Sequence, residues 1–204
     1  MYFSPGMLIL TLVTGAVSGL AAMWVKGSFN KYARVGARNG MTGAQVADAI
    51  LRHHGITDVR IEPVAGRLTD HYDPRNKTLR LSEPNYGGQS GAALGVAAHE
   101  VGHAIQHAQN YAWLGFRSNL VPVLNFSSRF SMMLIMAGIF LAAMAGPLAK
   151  MIGLVGVILF AFSTLFSLVT LPVEFDASRR ALVALEEGRI LQDDEMVGAR
   201  RVLR

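Results

Sequence analysis

Residues 130–173 read FSMMLIMAGIFLAAMAGPLAKMIGLVGVILFAFSTLFSLVTLPV, 44 residues whose only charge is Lys150. As one helix they would extend roughly 66 Å at 1.5 Å per residue, about twice the thickness of a hydrocarbon core. Gly146-Pro147 supplies a break beside that lone lysine. The stretch is therefore expected to be a tight helical hairpin of two membrane spans, 130–149 and 151–173. A hairpin has a further consequence: it returns the chain to the side it left. Residue 174 then shares a compartment with whatever precedes residue 130.

Working outward, a third uncharged stretch covers 7–25. No basic run precedes it, and no small-residue cleavage site stands before the positive cluster that follows. It is expected to be a retained span and not a cleaved signal. Orientation follows from the bases near the span ends. Lys26, Lys31, Arg34 and Arg38 follow the first span, Arg117 and Arg129 precede the second, and Arg179, Arg180 and Arg189 follow the third. All 19 Lys and Arg except Lys150 then lie on one side, the cytoplasmic one, with the N-terminus and hairpin tip outside. The composition agrees. Of 204 residues, 51% are hydrophobic and 16% charged, against about 25% charged in a soluble domain. The net charge of +5 comes from scattered bases without a run or interleaved aromatics, which speaks against nucleic acid. No cysteine is present, which excludes disulfides, a thiolate nucleophile and Cys-ligated metal.

About 100 residues separate the first two spans, enough for a small domain. Thr42-Gly-Ala-Gln45 reads as a capping box that starts a helix, ended at Gly55. A short strand is expected over 58–64, and a pair over 68–72 and 77–82 joined by a turn at Asp73-Pro74-Arg75-Asn76. The second member of that pair, 77–82, is expected to offer an open edge to an extended peptide. Ser90 is the expected N-cap of a helix running to about Asn110. The expected organisation is thus an N-terminal transmembrane helix (1–25), a cytoplasmic α+β domain (26–129), a transmembrane hairpin (130–173) and a cytoplasmic helical segment (174–204). In fold class this is a mainly α membrane protein with a small α+β domain.

That last helix contains His99-Glu100-Val101-Gly102-His103. Residues four apart lie one turn up and about 40° round, so both imidazoles can converge on one ion. Glu100 points elsewhere by about 60–100°, near enough to act as general base toward a water but not to ligate. Leu94, Val101, Ile105 and Ala108 form an apolar stripe on the opposite face, so packing would turn the histidines toward a cleft. The bland alternative is two polar residues on a solvated face. The stripe geometry favours the metal. His107 continues the series but lies about 12 Å above His99 on a straight helix, too far to close the site. A metzincin would need Gly at 106 and His at 109, where this chain has Gln106 and Gln109. His53 and His54, at a helix C-terminus, read as surface residues. A carboxylate is left as third ligand. Glu174, the first charge after the third span, is the candidate that the hairpin brings to the side of His99.

Together with Leu68-Thr-Asp-His71-Tyr72-Asp73-Pro, Leu79-Arg-Leu-Ser-Glu83, Ala97-Ala-His99-Glu-Val-Gly-His103-Ala-Ile-Gln106 and Pro172-Val-Glu174-Phe-Asp-Ala-Ser178, these residues resemble the neutral membrane-bound zinc metallopeptidases of the gluzincin class. The resemblance covers nearly the whole chain. It implies a zincin-like domain, Zn2+ on His99, His103 and Glu174, and Glu100 as base. Many gluzincins place an Asp four residues after the glutamate ligand to orient a histidine, and here that position is Ser178. The family pattern also implies a further apolar segment beyond Arg204. The function expected is endopeptidase action at the cytoplasmic face of the cell membrane on protein or peptide substrates associated with the bilayer. Oxyanion stabilisation is expected from His71 or Tyr72, with Arg179 behind them. Two other readings are an intramembrane metalloprotease, against which the apolar run before His99 is only eight residues, and an inactive metal-binding membrane adaptor. A transporter is disfavoured because no ionisable residue lies inside any span.

Overall fold

The computed structural model describes residues 5–203. In chain order the elements are α1 (Pro5–Tyr32), α2 (Gly43–His53), β1 (Arg60–Val64), β2 (His71–Asp73), β3 (Thr78–Ser82), α3 (Glu83–Tyr86), α4 (Gly91–Ala108), α5 (Ala112–Glu187) and α6 (Asp193–Val202). They form two compact units, one of Gln106–Ala177 and one of the residues before and after it.

In the second of these, α2, the small sheet and α4 share one core. Val46, Ile50 and Leu51 of α2, Leu79 and Leu81 of β3, and Leu94, Ala97, Ala98, Val101, Ala104 and Ile105 of α4 are all nearly inaccessible. The expected α4 stripe is buried at Leu94, Val101 and Ile105, whereas Ala108 is exposed at the frayed end. The expected capping box is present: Gln45 N donates to Thr42 Oγ1, and Thr42 N donates to Gln45 Oε1. Gly55 follows α2 with φ +67°, a left-handed conformation that glycine adopts without steric cost.

The sheet order is β1-β3-β2, with β3 parallel to β1 and antiparallel to β2. This corrects the expectation that 77–82 presents an open edge. Its backbone is committed on both sides, and the edges belong to β1 and β2. Asp70 fixes the stretch entering β2: its carboxylate accepts from Ser82 N, Ser82 Oγ and Asn85 Nδ2. The C-terminal α6 closes the same unit. Gly198 lies under the Tyr32 ring and Ala199 against Gly95, while Asn39 Nδ2 donates to Ile190 O at 2.6 Å.

The unit Gln106–Ala177 is a hairpin built from the two arms of α5. The break sits at Gly146 (φ +40°, ψ −109°), the expected place. The arms meet through glycines. A Cβ on Gly156 would stand 2.7 Å from Ile135 N and 2.8 Å from Ser131 O, and one on Gly138 would stand 2.7 Å from Gly153 Cα. Small residues let apolar helices approach this closely. Hydroxyls in the arms are satisfied locally, as where Ser163 donates to Leu159 O and Ser167 to Ser163 O. Among the described residues, three helices are long and apolar enough to cross a membrane, over Leu12–Tyr32, Ala112–Ala142 and Gly146–Glu187. Large apolar side chains stand on their exteriors: Leu12, Val17, Leu20 and Met23 of α1 are each more than 60% exposed. Such a surface suits a lipid environment.

Because backbone atoms crowd Gly156, Gly156→Leu is expected to spread the hairpin and cost about 1–3 kcal/mol, the usual range for overpacking. Unfolding of the detergent-solubilised protein would show it as a lowered midpoint. An unchanged midpoint would mean that the arms do not meet there.

Candidate metal centre

Two features place the histidines. Ser90 caps α4, its Oγ accepting from Ala93 N at 3.2 Å, and the alanine-rich turns that follow let the helix run through the core. His99 and His103 then project from one side, rings 4.9 Å apart at 81°. His103 is buried, His99 partly so, and Glu100 is buried between them in sequence. The Oγ of Ser178 lies 3.2 Å from His99 Nδ1. With Nδ1–H donating to that hydroxyl, Nε2 is left as the ligand atom. The Ser178 hydroxyl thus stands against one ring of the histidine pair.

Glu174 sits on α5, one turn before Ser178. Ligand atoms of His99, His103 and Glu174 all lie within 4.8 Å of one another. Ligands about 2.0–2.1 Å from zinc stand roughly 3.4 Å apart in a tetrahedron. Two imidazoles and one carboxylate, with a position left for water, are the donor set of catalytic zinc. The residues present fit the ion.

Two polar residues join this picture that sequence reasoning did not assign to the site. Arg117 had entered only as a topology charge, and its Nη2 lies 2.9 Å from Glu174 Oε1. Gln106 counts in the sequence against a metzincin and ends the run Ala97–Gln106 that carries the resemblance. It is fully buried, and its Nε2 donates to Val173 O and to Asp176 Oδ2, each at 2.9 Å. Asp176 is buried at that contact. The signal for Gln106 was its place three residues after His103 on a helix. Nothing in the sequence marked Arg117.

The two oxyanion candidates lie on β2. His71 is exposed, its Nδ1 2.7 Å from Thr69 O and its Nε2 3.5 Å from Arg80 Nη1. Tyr72 packs partly against the core. Burial, and then the charges of Asp58 and Asp73, push its phenol up to about 12, so it stays a hydrogen-bond donor at any physiological pH. His53 and His54 stand exposed at the end of α2 as expected, rings edge to face at 5.4 Å. Partial burial, then the neighbouring His53 and Arg180 against an opposing Glu187, lowers the His54 pKa.

Ser178→Ala is expected to weaken zinc binding by roughly 10–100-fold, the usual cost of losing a partner that orients a ligand histidine. Calorimetric titration with zinc would measure it. An unchanged affinity would mean that other contacts hold the ring.

Comparison with known proteins identifies the family of this chain, one described as using zinc. Residues 7–204 match the family described as "Putative neutral zinc metallopeptidase". The chain is 43% identical over 196 residues to "Putative membrane protease YugP" of Bacillus subtilis (strain 168), covering 96% of this chain and 84% of that protein. No solved structure matches it.

Proposed function

Because the chain belongs to the putative neutral zinc metallopeptidase family, we propose that it is a membrane-bound zinc endopeptidase acting at the cytoplasmic face of the membrane. What supports this reading is that ligand atoms of His99, His103 and Glu174 lie within 4.8 Å of one another, with Glu100 between the two histidines in sequence. His99, His103 and Glu174 would hold the ion. Such an ion would supply a water of pKa about 7 and a Lewis acid for the scissile carbonyl. Glu100 takes the proton of the attacking water and returns it to the leaving amine. Its burial, by excluding competing solvent, suits a base that must hold that proton between the two steps. Tyr72, a protonated phenol, or His71 beside it donates to the developing oxyanion.

Membrane-associated substrates are favoured by the apolar exterior around Glu174. Leu168, Leu171 and Phe175 are 60%, 44% and 66% exposed, and Trp113 and Phe116 are exposed on the other arm. This lipid-compatible surface reaches the residue next to the candidate ligand, so a polypeptide cleaved there meets the protein at the bilayer boundary. The distribution of Lys and Arg supports the cytoplasmic side.

The test is proteolysis of a casein-type substrate by the purified chain. Activity abolished by a chelator and restored by zinc is expected. A folded, zinc-loaded chain that cleaves nothing would favour the adaptor reading. The native chain has no cysteine, so single introduced cysteines map its sidedness. Arg60→Cys and Arg189→Cys should be shielded in intact cells and Leu148→Cys labelled from outside. Labelling at 60 from outside would overturn the cytoplasmic assignment.

A further inference from the structure

Resting on the zinc reading above, we propose that Arg117 is the positioning residue of Glu174, holding one oxygen of that carboxylate so that the other is presented to the ion. A glutamate has three side-chain torsions to order before it can ligate, and a lone ligand on an exposed helix face spends most of its time in other rotamers. Here the guanidinium Nη2 stands 2.9 Å from Oε1, one of the two oxygens of the carboxylate. The planar fork of arginine suits this task better than a lysine ammonium, because its geometry is set before the contact forms.

An independent contact holds the backbone of the same turn. The buried Gln106 amide donates to Val173 O, just before Glu174, and to Asp176 Oδ2, just after it. The turn is therefore fixed on both sides of the ligand, and Arg117 fixes the side chain itself. Charge works the other way. A guanidinium beside a ligand carboxylate repels the incoming dication and draws charge from the oxygen it holds. With the two side chains 31% and 35% exposed, solvent and salt screen much of that repulsion, whereas the geometric constraint is not screened. Positioning outweighs repulsion. The arrangement extends to a carboxylate ligand the rule that partners beyond the ligand shell set metal affinity.

The experiment is a zinc-affinity measurement on the full-length, detergent-purified chain by competition with a chromophoric chelator. It compares the parent with Arg117→Ala, Arg117→Lys and, as a control farther along the same helix, Arg129→Ala. Circular dichroism monitors the fold. Arg117→Ala should bind zinc roughly 10–100-fold more weakly. Arg117→Lys should recover part of the loss, Arg129→Ala should match the parent, and turnover of Arg117→Ala at saturating zinc should return to within a few-fold. Equal affinity in parent and Arg117→Ala would overturn the inference, as would turnover lost at unchanged affinity, which would place Arg117 on the substrate. If Arg117→Ala is misfolded, Arg117→Lys decides alone: parent-like folding with several-fold weaker zinc supports the role, and parent-like affinity refutes it. A parent that takes up no zinc would instead sink the metallopeptidase reading.

Discussion

Glu174→Ala should purify with little or no zinc after dialysis, and its peptidase activity should vanish at ordinary metal concentrations. The substitution leaves two imidazoles, one protein ligand short of the usual three in a catalytic site. Its neighbour provides the contrast. Asp176 lies about 200° round the helix from Glu174 and accepts from the buried amide of Gln106. Asp176→Asn keeps the shape and an acceptor oxygen, so zinc should be retained, with an affinity loss of at most roughly 10–100-fold. Zinc per chain, measured in both variants after the same dialysis, decides between them. Full retention in Glu174→Ala with loss in Asp176→Asn would reverse the assignment.

Glu100→Gln should separate the metal from the chemistry. The side chain is buried and lies outside the ligand group, so an isosteric amide leaves zinc in place. It cannot accept the proton of the attacking water, and general-base losses run to roughly 10²–10⁴-fold or more. Steady-state hydrolysis together with zinc content is the measurement. A zinc-replete Glu100→Gln chain with undiminished turnover would remove Glu100 from the mechanism. His99→Ala, by contrast, should lose metal and activity together.

The features legible in the sequence were those coded by short-range chemistry. Thr42 and Gln45 announce a helix start because the two side chains cap each other's backbone three residues apart. Gly146-Pro147 announces a break because no apolar helix of 44 residues fits one bilayer crossing. The His99 and His103 pair is legible because the helical period alone puts the two rings together. What depended on neighbours distant in the chain was not legible. A period-two pattern shows that 77–82 is a strand but not that β1 and β2 flank it, so its open edge was misjudged. Gln106 and Asp176 are 70 positions apart, and each alone reads as a polar residue near a helix end. Arg117 reads in the sequence as a base flanking a span, which gives no sign of its ion pair with Glu174, 57 positions away. Ser178 was visible only as a departure from a family pattern, until its hydroxyl was found at the ring of His99.

The central claim is that two histidines and one glutamate of this chain bind a single zinc ion. X-ray absorption at the zinc edge of the purified, zinc-loaded protein tests it most directly. The expected spectrum has a first shell of about four nitrogen and oxygen atoms near 2.0–2.1 Å, with outer-shell scattering from two imidazole rings. Loss of that imidazole scattering in His103→Ala should accompany loss of zinc. A shell of oxygens without imidazole scattering, or one unchanged by His103→Ala, would contradict the account.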